Sequence, residues 1–265
     1  MILTSENYYS VEANREYLSV SQYKDFVGTL GKRGCEECAL AKLEGKWEDE
    51  ITTALLVGSY VDAHFEGTLD IFKGKHPEIF TQKGELKADY KRANDIISRI
   101  ERDEYFMKYM SGQKQVIMTG ELFGVKWKIK IDSLLPHMAI VDLKIMEDLN
   151  KEFRVKDYGY MDFTQFWGYD VQGAVYQEIY YQNTGERLPF CIAAASKEKY
   201  PNIEIIQIDN KHLKEKLYEV EANIPRIIAL KNKEVEPTRC GVCDYCKHTK
   251  VLTRPIHYSE LIAEI

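Results

Sequence analysis

The chain has 265 residues, 45% of them hydrophobic and 29% charged, a balance that excludes a disordered chain and fits a globular one. Its net charge of −6 excludes binding to a polyanion by bulk charge alone. No apolar run approaches the roughly 20 residues that span a bilayer, so no membrane association is expected. The start, MILTSENYYSVEANREYLSV, lacks a basic segment followed by an apolar one; no secretory signal is expected, and the cytoplasm is the expected compartment.

Residues 1 to about 112 read as a helical part. Ser19 or Ser21 is positioned to cap a short helix through Phe26, and Ile51 to Phe65 reads as a second, largely apolar helix. Leu86, Tyr90, Ala93, Ile97 and Ile100 recur at helical spacing and predict one long amphipathic helix over Glu85 to Gly112. The period then changes to two. Gln115 to Leu122 reads as a strand, and in Val125 to Ser133 the apolar Trp127, Ile129 and Ile131 alternate with Lys126, Lys128, Lys130 and Asp132. A turn around Pro136 leads to a third strand, Ala139 to Met146. A helix over Phe163 to Asn183, strands Leu188 to Ser196 and Ile203 to Ile208, and a helix capped by Asp209 complete the pattern, with Pro225 expected to kink or break the last helix. Three sequential strands most simply form an antiparallel meander, and the helix after them allows a parallel return. The expectation is one α/β domain over 1–265, a mixed central sheet flanked by helices, ending in a cysteine-rich tail from about 236.

Charge is unevenly spread. Lys108 to Lys156 holds nine Lys/Arg and six Asp/Glu, a local net of +3 that leaves −9 elsewhere. A basic zone in an acidic protein is compatible with a channel for a polyanion.

The chemistry concentrates in Asp132, nine intervening residues, then Asp142-Leu143-Lys144. On a hairpin these two carboxylates and an ammonium converge at one sheet edge, because side chains two apart share a strand face. Carboxylate oxygens suit Mg²⁺ or Mn²⁺, and such an ion could activate water and stabilise a leaving oxygen, with Lys144 beside it. His64 lies near the end of an apolar helix, Gln172 and Tyr176 share a helix face, and Glu121 is an outlying carboxylate. Each alone has a bland reading: a solvated hairpin face, a hydrogen-bonded histidine, a polar helix surface.

Together, His64, Asp132, Asp142-x-Lys144 and Gln172-x3-Tyr176 resemble the PD-(D/E)XK nuclease superfamily, and more narrowly the phage and prophage exonucleases related to RecE and the RecB-type nuclease domain. The resemblance runs from about Ser19 to Lys250; Ile131 stands where the motif often has proline. It implies a restriction-endonuclease-like core and Mg²⁺-dependent hydrolysis of DNA from duplex ends, 5′ to 3′, in phage-type recombination. His64 and the two aspartates would hold or orient the metal, Lys144 would sit beside the attacking water, and the Gln172/Tyr176 helix would support the site. A single-strand annealing protein as partner and a homo-oligomeric ring are implied by the same resemblance. Lys126, Lys128 and Lys130 could line the DNA path, and the segment Glu147 to Tyr160, with Lys151, Arg154 and Lys156, could contact a strand. The alternatives are a catalytically silent DNA-binding module and a phosphoesterase acting on a small substrate.

Five of the six cysteines cluster as Cys35-x2-Cys38 and Cys240-x2-Cys243-x2-Cys246, while Cys191 sits in an apolar strand. Thiolates at this spacing wrap one soft centre; the fourth ligand would be Cys35 or Cys38, with His248 and His257 as possible substitutes. This resembles the iron-staple nucleases, although the last three cysteines are more closely spaced here. The expected group is a structural [4Fe–4S] cluster or Zn²⁺.

Overall fold

In the computed structural model, which describes residues 1–261, the N-terminal part is helical for local reasons. Helices α1 (Val11–Glu16) and α2 (Val20–Val27) each start at a serine. For α2 that serine is Ser19. Its hydroxyl accepts the Gln22 N–H while the Gln22 side chain accepts the Ser19 N–H, a reciprocal capping box. Helix α3 (Glu36–Leu43) begins at Cys35, and α4 (Thr53–Glu66) begins at Thr52, whose hydroxyl accepts the Leu55 N–H. The short α5 (Leu69–Lys75) follows. The one helix expected over Glu85 to Gly112 is instead two, α6 (Ala88–Glu101) and α7 (Glu104–Met110). Asp103 turns extended between them, and its carboxylate accepts the Phe106 N–H at 2.9 Å. A side-chain cap here outcompetes continuation of the helix.

Strands β1 (Gln113–Leu122), β2 (Val125–Leu135) and β3 (Ala139–Met146) form the antiparallel meander. A small hairpin, β4 (Phe153–Val155) and β5 (Gly159–Met161), lies in the connection that follows β3. Then come α8 (Phe163–Phe166), α9 (Tyr169–Thr184), β6 (Phe190–Ser196), β7 (Ile203–Ile208), α10 (Asn210–Lys231) and α11 (Asp244–His248). The helix expected over Phe163 to Asn183 is interrupted at Gly168, whose φ of 63° glycine adopts without steric cost. Pro225 ends nothing: α10 runs past it to Lys231. Strand β6 lies parallel to β3 and β7 antiparallel to β6, so the sheet order is β1-β2-β3-β6-β7. This is the mixed sheet expected, a meander extended by a parallel strand.

Helices cover both faces. Trp127, Ile129 and Ile131 of β2 pack with Val175 and Ile179 of α9 and Ile224 and Ile227 of α10. On the other face Val141, Leu143, Ala193 and Ala195 meet Val61 of α4, Ile96, Ile97 and Ile100 of α6 and Phe106 of α7. Each fully buried Ile or Val side chain contributes roughly 1.5–3 kcal/mol, so the two layers hold the sheet from both sides. Gly173 lets α9 settle on β6, since a Cβ there would stand 2.5 Å from the Phe190 ring. Among the described residues no helix is long and apolar enough to cross a membrane.

Candidate active site

The site forms where β2 and β3 part. Their ladder ends at Ser133–Val141, which leaves the Leu143 N–H without a strand partner. The Asp132 carboxylate takes that role, its Oδ2 accepting the Leu143 N–H at 3.0 Å. On the other side of β2, Gln115 has a φ of 52° and drops out of the β1–β2 ladder opposite Asp132. Its Nε2 donates to Asp132 Oδ1 at 3.3 Å. An interrupted sheet therefore anchors the first carboxylate from both neighbouring strands.

Asp142 and Lys144 come from β3. Asp142 is buried, Gln172 Nε2 donates to its Oδ1 at 2.6 Å, and its Oδ2 meets the Lys144 ammonium. Burial pushes the Lys144 ammonium pKa down, but the charges of Asp142 and Asp132 more than reverse this and hold it above the usual lysine range. The Tyr169 ring lies 5.0 Å from the same ammonium. Asp132 is pushed up to about 7 by burial and by the nearby Asp142 charge. A third carboxylate, Asp62 of α4, lines the same cavity and is raised well above the carboxylate range, by burial first and then by the charge of Asp132. Lys24 of α2 lines it too, donating to the Trp167 carbonyl at 2.9 Å. Burial, and then the Lys144 charge, lower its pKa to about 8. Together these groups line a cavity of about 340 Å³.

Not every expected residue arrives there. His64 is one face removed: residues two apart on a helix point about 200° apart, so turning Asp62 toward the sheet turns His64 away. Its Nε2 instead lies 2.8 Å from Glu101 Oε1. Glu121 is exposed at the far end of β1, paired across the ladder with Lys126, and does not line the cavity. The three β2 lysines also separate. Lys126 is bound by Glu16 at 3.1 Å, and Lys128 is buried and donates to the Tyr8 carbonyl and to Asn14 Oδ1. Lys128 and Lys130 both line the cavity, Lys128 with its ammonium tied to the N-terminal segment and Lys130 against the rings of Tyr8 and Tyr9. Gln172 and Tyr176 both face it, and the Tyr176 hydroxyl donates to the Lys130 carbonyl at 3.2 Å. Asp62 carried a signal in the sequence, a lone carboxylate within an apolar helix. Gln115 and Lys24 carried none, because their roles depend on the broken ladder and on helix placement.

Two buried side-chain oxygens accept no hydrogen bond among the described residues, Gln115 Oε1 and Asp142 Oδ2. Both belong to this site. Asp142 Oδ2 meets the Lys144 ammonium as an ion pair without hydrogen-bond geometry. Buried acceptors without a hydrogen-bond donor, beside three carboxylates, are the environment a hard divalent cation satisfies, so the donor set fits Mg²⁺ or Mn²⁺.

At the opposite end of the chain order, the Sγ atoms of Cys35, Cys240, Cys243 and Cys246 all lie within 4.8 Å of one another. The structure thus brings Cys35, rather than Cys38, to the three tail cysteines. Neither His248 nor His257 is part of this group. The Cys240 sulfur accepts the Cys243 N–H at 3.3 Å and the Cys243 sulfur accepts the Cys246 N–H at 3.4 Å. Burial alone would raise the Cys240 thiol, but backbone N–H groups of Val242 and Cys243 outweigh it and bring the pKa down to about 7, where thiolate becomes available. Two of the six sulfur–sulfur distances, Cys35–Cys246 at 3.6 Å and Cys240–Cys246 at 3.9 Å, lie close to the edge of about 3.8 Å for a tetrahedron with metal–sulfur bonds of about 2.3 Å, and the rest are within 4.8 Å. A [4Fe–4S] cluster puts each thiolate on a different iron and so needs them farther apart.

The family model described as a PDDEXK-like domain of unknown function (DUF3799) matches residues 19–249. The chain is also similar to a crystal structure from Eubacterium rectale described as a "putative exonuclease", with 64% sequence identity, 100% coverage of both chains and a TM-score of 0.98. No curated protein matches it.

Proposed function

The chain belongs to the family of PDDEXK-like domains, and from that premise we propose that it is a metal-dependent deoxyribonuclease hydrolysing phosphodiester bonds from the ends of linear duplexes. The observation that carries the reading is the convergence of Asp62, Asp132, Asp142 and Lys144 on one cavity, where the buried Asp142 Oδ2 has no hydrogen-bond donor among the described residues. The similar protein described as an exonuclease supports action at ends, and the resemblance to RecE-type enzymes supports 5′ to 3′ polarity and a place in phage-type recombination.

In this reading Asp132 and Asp142 would hold the divalent cation, with Asp62 beside them. The cation, when bound, supplies Lewis-acid polarisation of the scissile phosphate and acidifies a water. The remaining chemistry lies in the chain. Gln172 fixes the Asp142 carboxylate from α9 through its 2.6 Å bond. Lys144, kept cationic by the two aspartates, orients the attacking water and offsets charge as it grows on the phosphate. Lys24 and Lys130 add cationic walls for the strand. The four-cysteine group serves a structural role, tying the tail to the start of α3, and its short sulfur–sulfur distances support one zinc ion over an iron–sulfur cluster.

The direct test is digestion of linear duplexes blocked at either the 5′ or the 3′ end. Loss of duplex with Mg²⁺, none with chelator, and protection by the 5′ block are expected. Tight DNA binding with no cleavage in Mg²⁺ or Mn²⁺ would instead support the silent binding module. The same assay distinguishes Asp62 from its helix neighbour. Asp62→Asn should slow cleavage roughly 10- to 100-fold, as for a group that shapes a metal site, whereas His64→Ala should stay within about threefold of the parent, since its partner Glu101 lies outside the site. The reverse order would return the metal to the histidine.

A further inference from the structure

Beyond the point where β2 and β3 part, Leu18, at the end of the segment 1–18 that precedes the family match at residue 19, pairs with β2. Leu18 bridges to Trp127, with Leu18 N donating to the Lys126 carbonyl at 2.8 Å and Lys128 N donating to the Leu18 carbonyl at 2.9 Å. The buried Lys128 ammonium then fastens the preceding turn through the Tyr8 carbonyl and Asn14. The consequence falls on two adjacent tyrosines. Tyr8 is 6% exposed, while Tyr9 is 68% exposed and stands edge-on to it, with ring centroids 4.9 Å apart. Both residues line the cavity that holds Asp132, Asp142 and Lys144. The Lys130 ammonium lies over the Tyr9 ring, 4.9 Å from its centroid, so a cation and a mostly exposed aromatic ring are joined beside the carboxylates.

An exposed aromatic ring that is propped by a buried one, next to a lysine and within a cavity lined by carboxylates, suits a nucleotide whose base is unpaired. Its π-face would stack on the ring while its phosphate meets the ammonium. Resting on the nuclease reading above, we infer that Tyr9 is a base-stacking platform that positions the single-stranded end of DNA, with Lys130 on the adjoining phosphate. The segment 1–18 is therefore part of the substrate site, and the role is one of positioning: Tyr9 grips the strand so that the next phosphate reaches Asp132 and Asp142.

The test compares the full-length parent, Tyr9→Ala and Tyr9→Phe on linear DNA with short single-stranded ends, either intact or abasic at the terminal nucleotides. Because Tyr9 is mostly exposed, neither substitution should disturb folding. On intact ends Tyr9→Ala should raise KM roughly tenfold or more with kcat little changed, and Tyr9→Phe should keep the parental KM. On abasic ends the parent and Tyr9→Ala should converge, because no base remains to stack. A Tyr9→Ala protein equal to an active parent on intact ends, or one impaired equally on intact and abasic ends, overturns the stacking role and leaves the hydrolytic reading standing. A parent that cleaves none of these DNAs overturns both.

Discussion

Asp142→Asn is expected to lower the rate of DNA hydrolysis at least about a thousandfold while the protein stays folded. The size follows from what the carboxylate does in the proposed reaction. Charge stabilisation by a metal at a phosphoryl centre is worth several kcal/mol, and each ~1.4 kcal/mol is a factor of ten in rate. The fold should survive because asparagine keeps an oxygen for the Gln172 N–H now bound at 2.6 Å. It also removes a charge that, after burial, raises Asp132 to about 7 and adds to the upward shift of Asp62, but it leaves the Lys144 ammonium with one partner fewer. These changes oppose each other, so without metal the variant should melt within several degrees of the parent, and the rise in Tm that Mg²⁺ is expected to give the parent should shrink. Calorimetry with and without Mg²⁺, alongside single-turnover cleavage, reads both. Undiminished cleavage would remove Asp142 from the reaction and with it the proposed active site.

The second large effect concerns the tail. Cys246→Ser should release the metal proposed at the four cysteines and lower Tm by about 10 °C. Structural thiolate sites convert metal affinity directly into folding free energy, and in a chain of this size a few kcal/mol moves Tm by that amount. Other contacts hold the tail and keep the loss from being larger. Arg226 and Thr238 both bond Glu36, holding that carboxyl down at about 2, and Arg239 pairs with Glu37 at 2.8 Å. Being exposed, such pairs are worth at most about 1 kcal/mol each. Elemental analysis of the purified parent should give one zinc per chain and no visible absorption. Four irons with a brown chromophore would overturn the mononuclear reading, and an unchanged Tm in Cys246→Ser would show that the cysteines hold nothing that matters to stability.

Much of the architecture was legible from local pattern. The alternation of Trp127, Ile129 and Ile131 with lysines marked β2, and all three are fully buried. The spacing Asp132-x9-Asp142-x-Lys144 marked a hairpin end, and the cysteine spacing marked the tail group. Helix ends at Asp103 and Gly168 were less legible, since apolar periodicity continues across both positions while the backbone does not.

What the sequence by itself determined is the composition of each surface: which residues share a strand face, which helix stripe is apolar, and which cysteines are close enough along the chain to act together. Those properties depend on periods of two and 3.6 residues and need no partner. The tertiary structure alone decided which face of α4 meets the sheet, and so brought Asp62 rather than His64 to the cavity. It likewise decided which of Cys35 and Cys38 joins the tail, and that β2 and β3 separate to admit both a carboxylate and the N-terminal segment. The physical reason is that these choices are made by contacts between residues far apart in sequence, where packing selects one of several orientations that local preference leaves equally open.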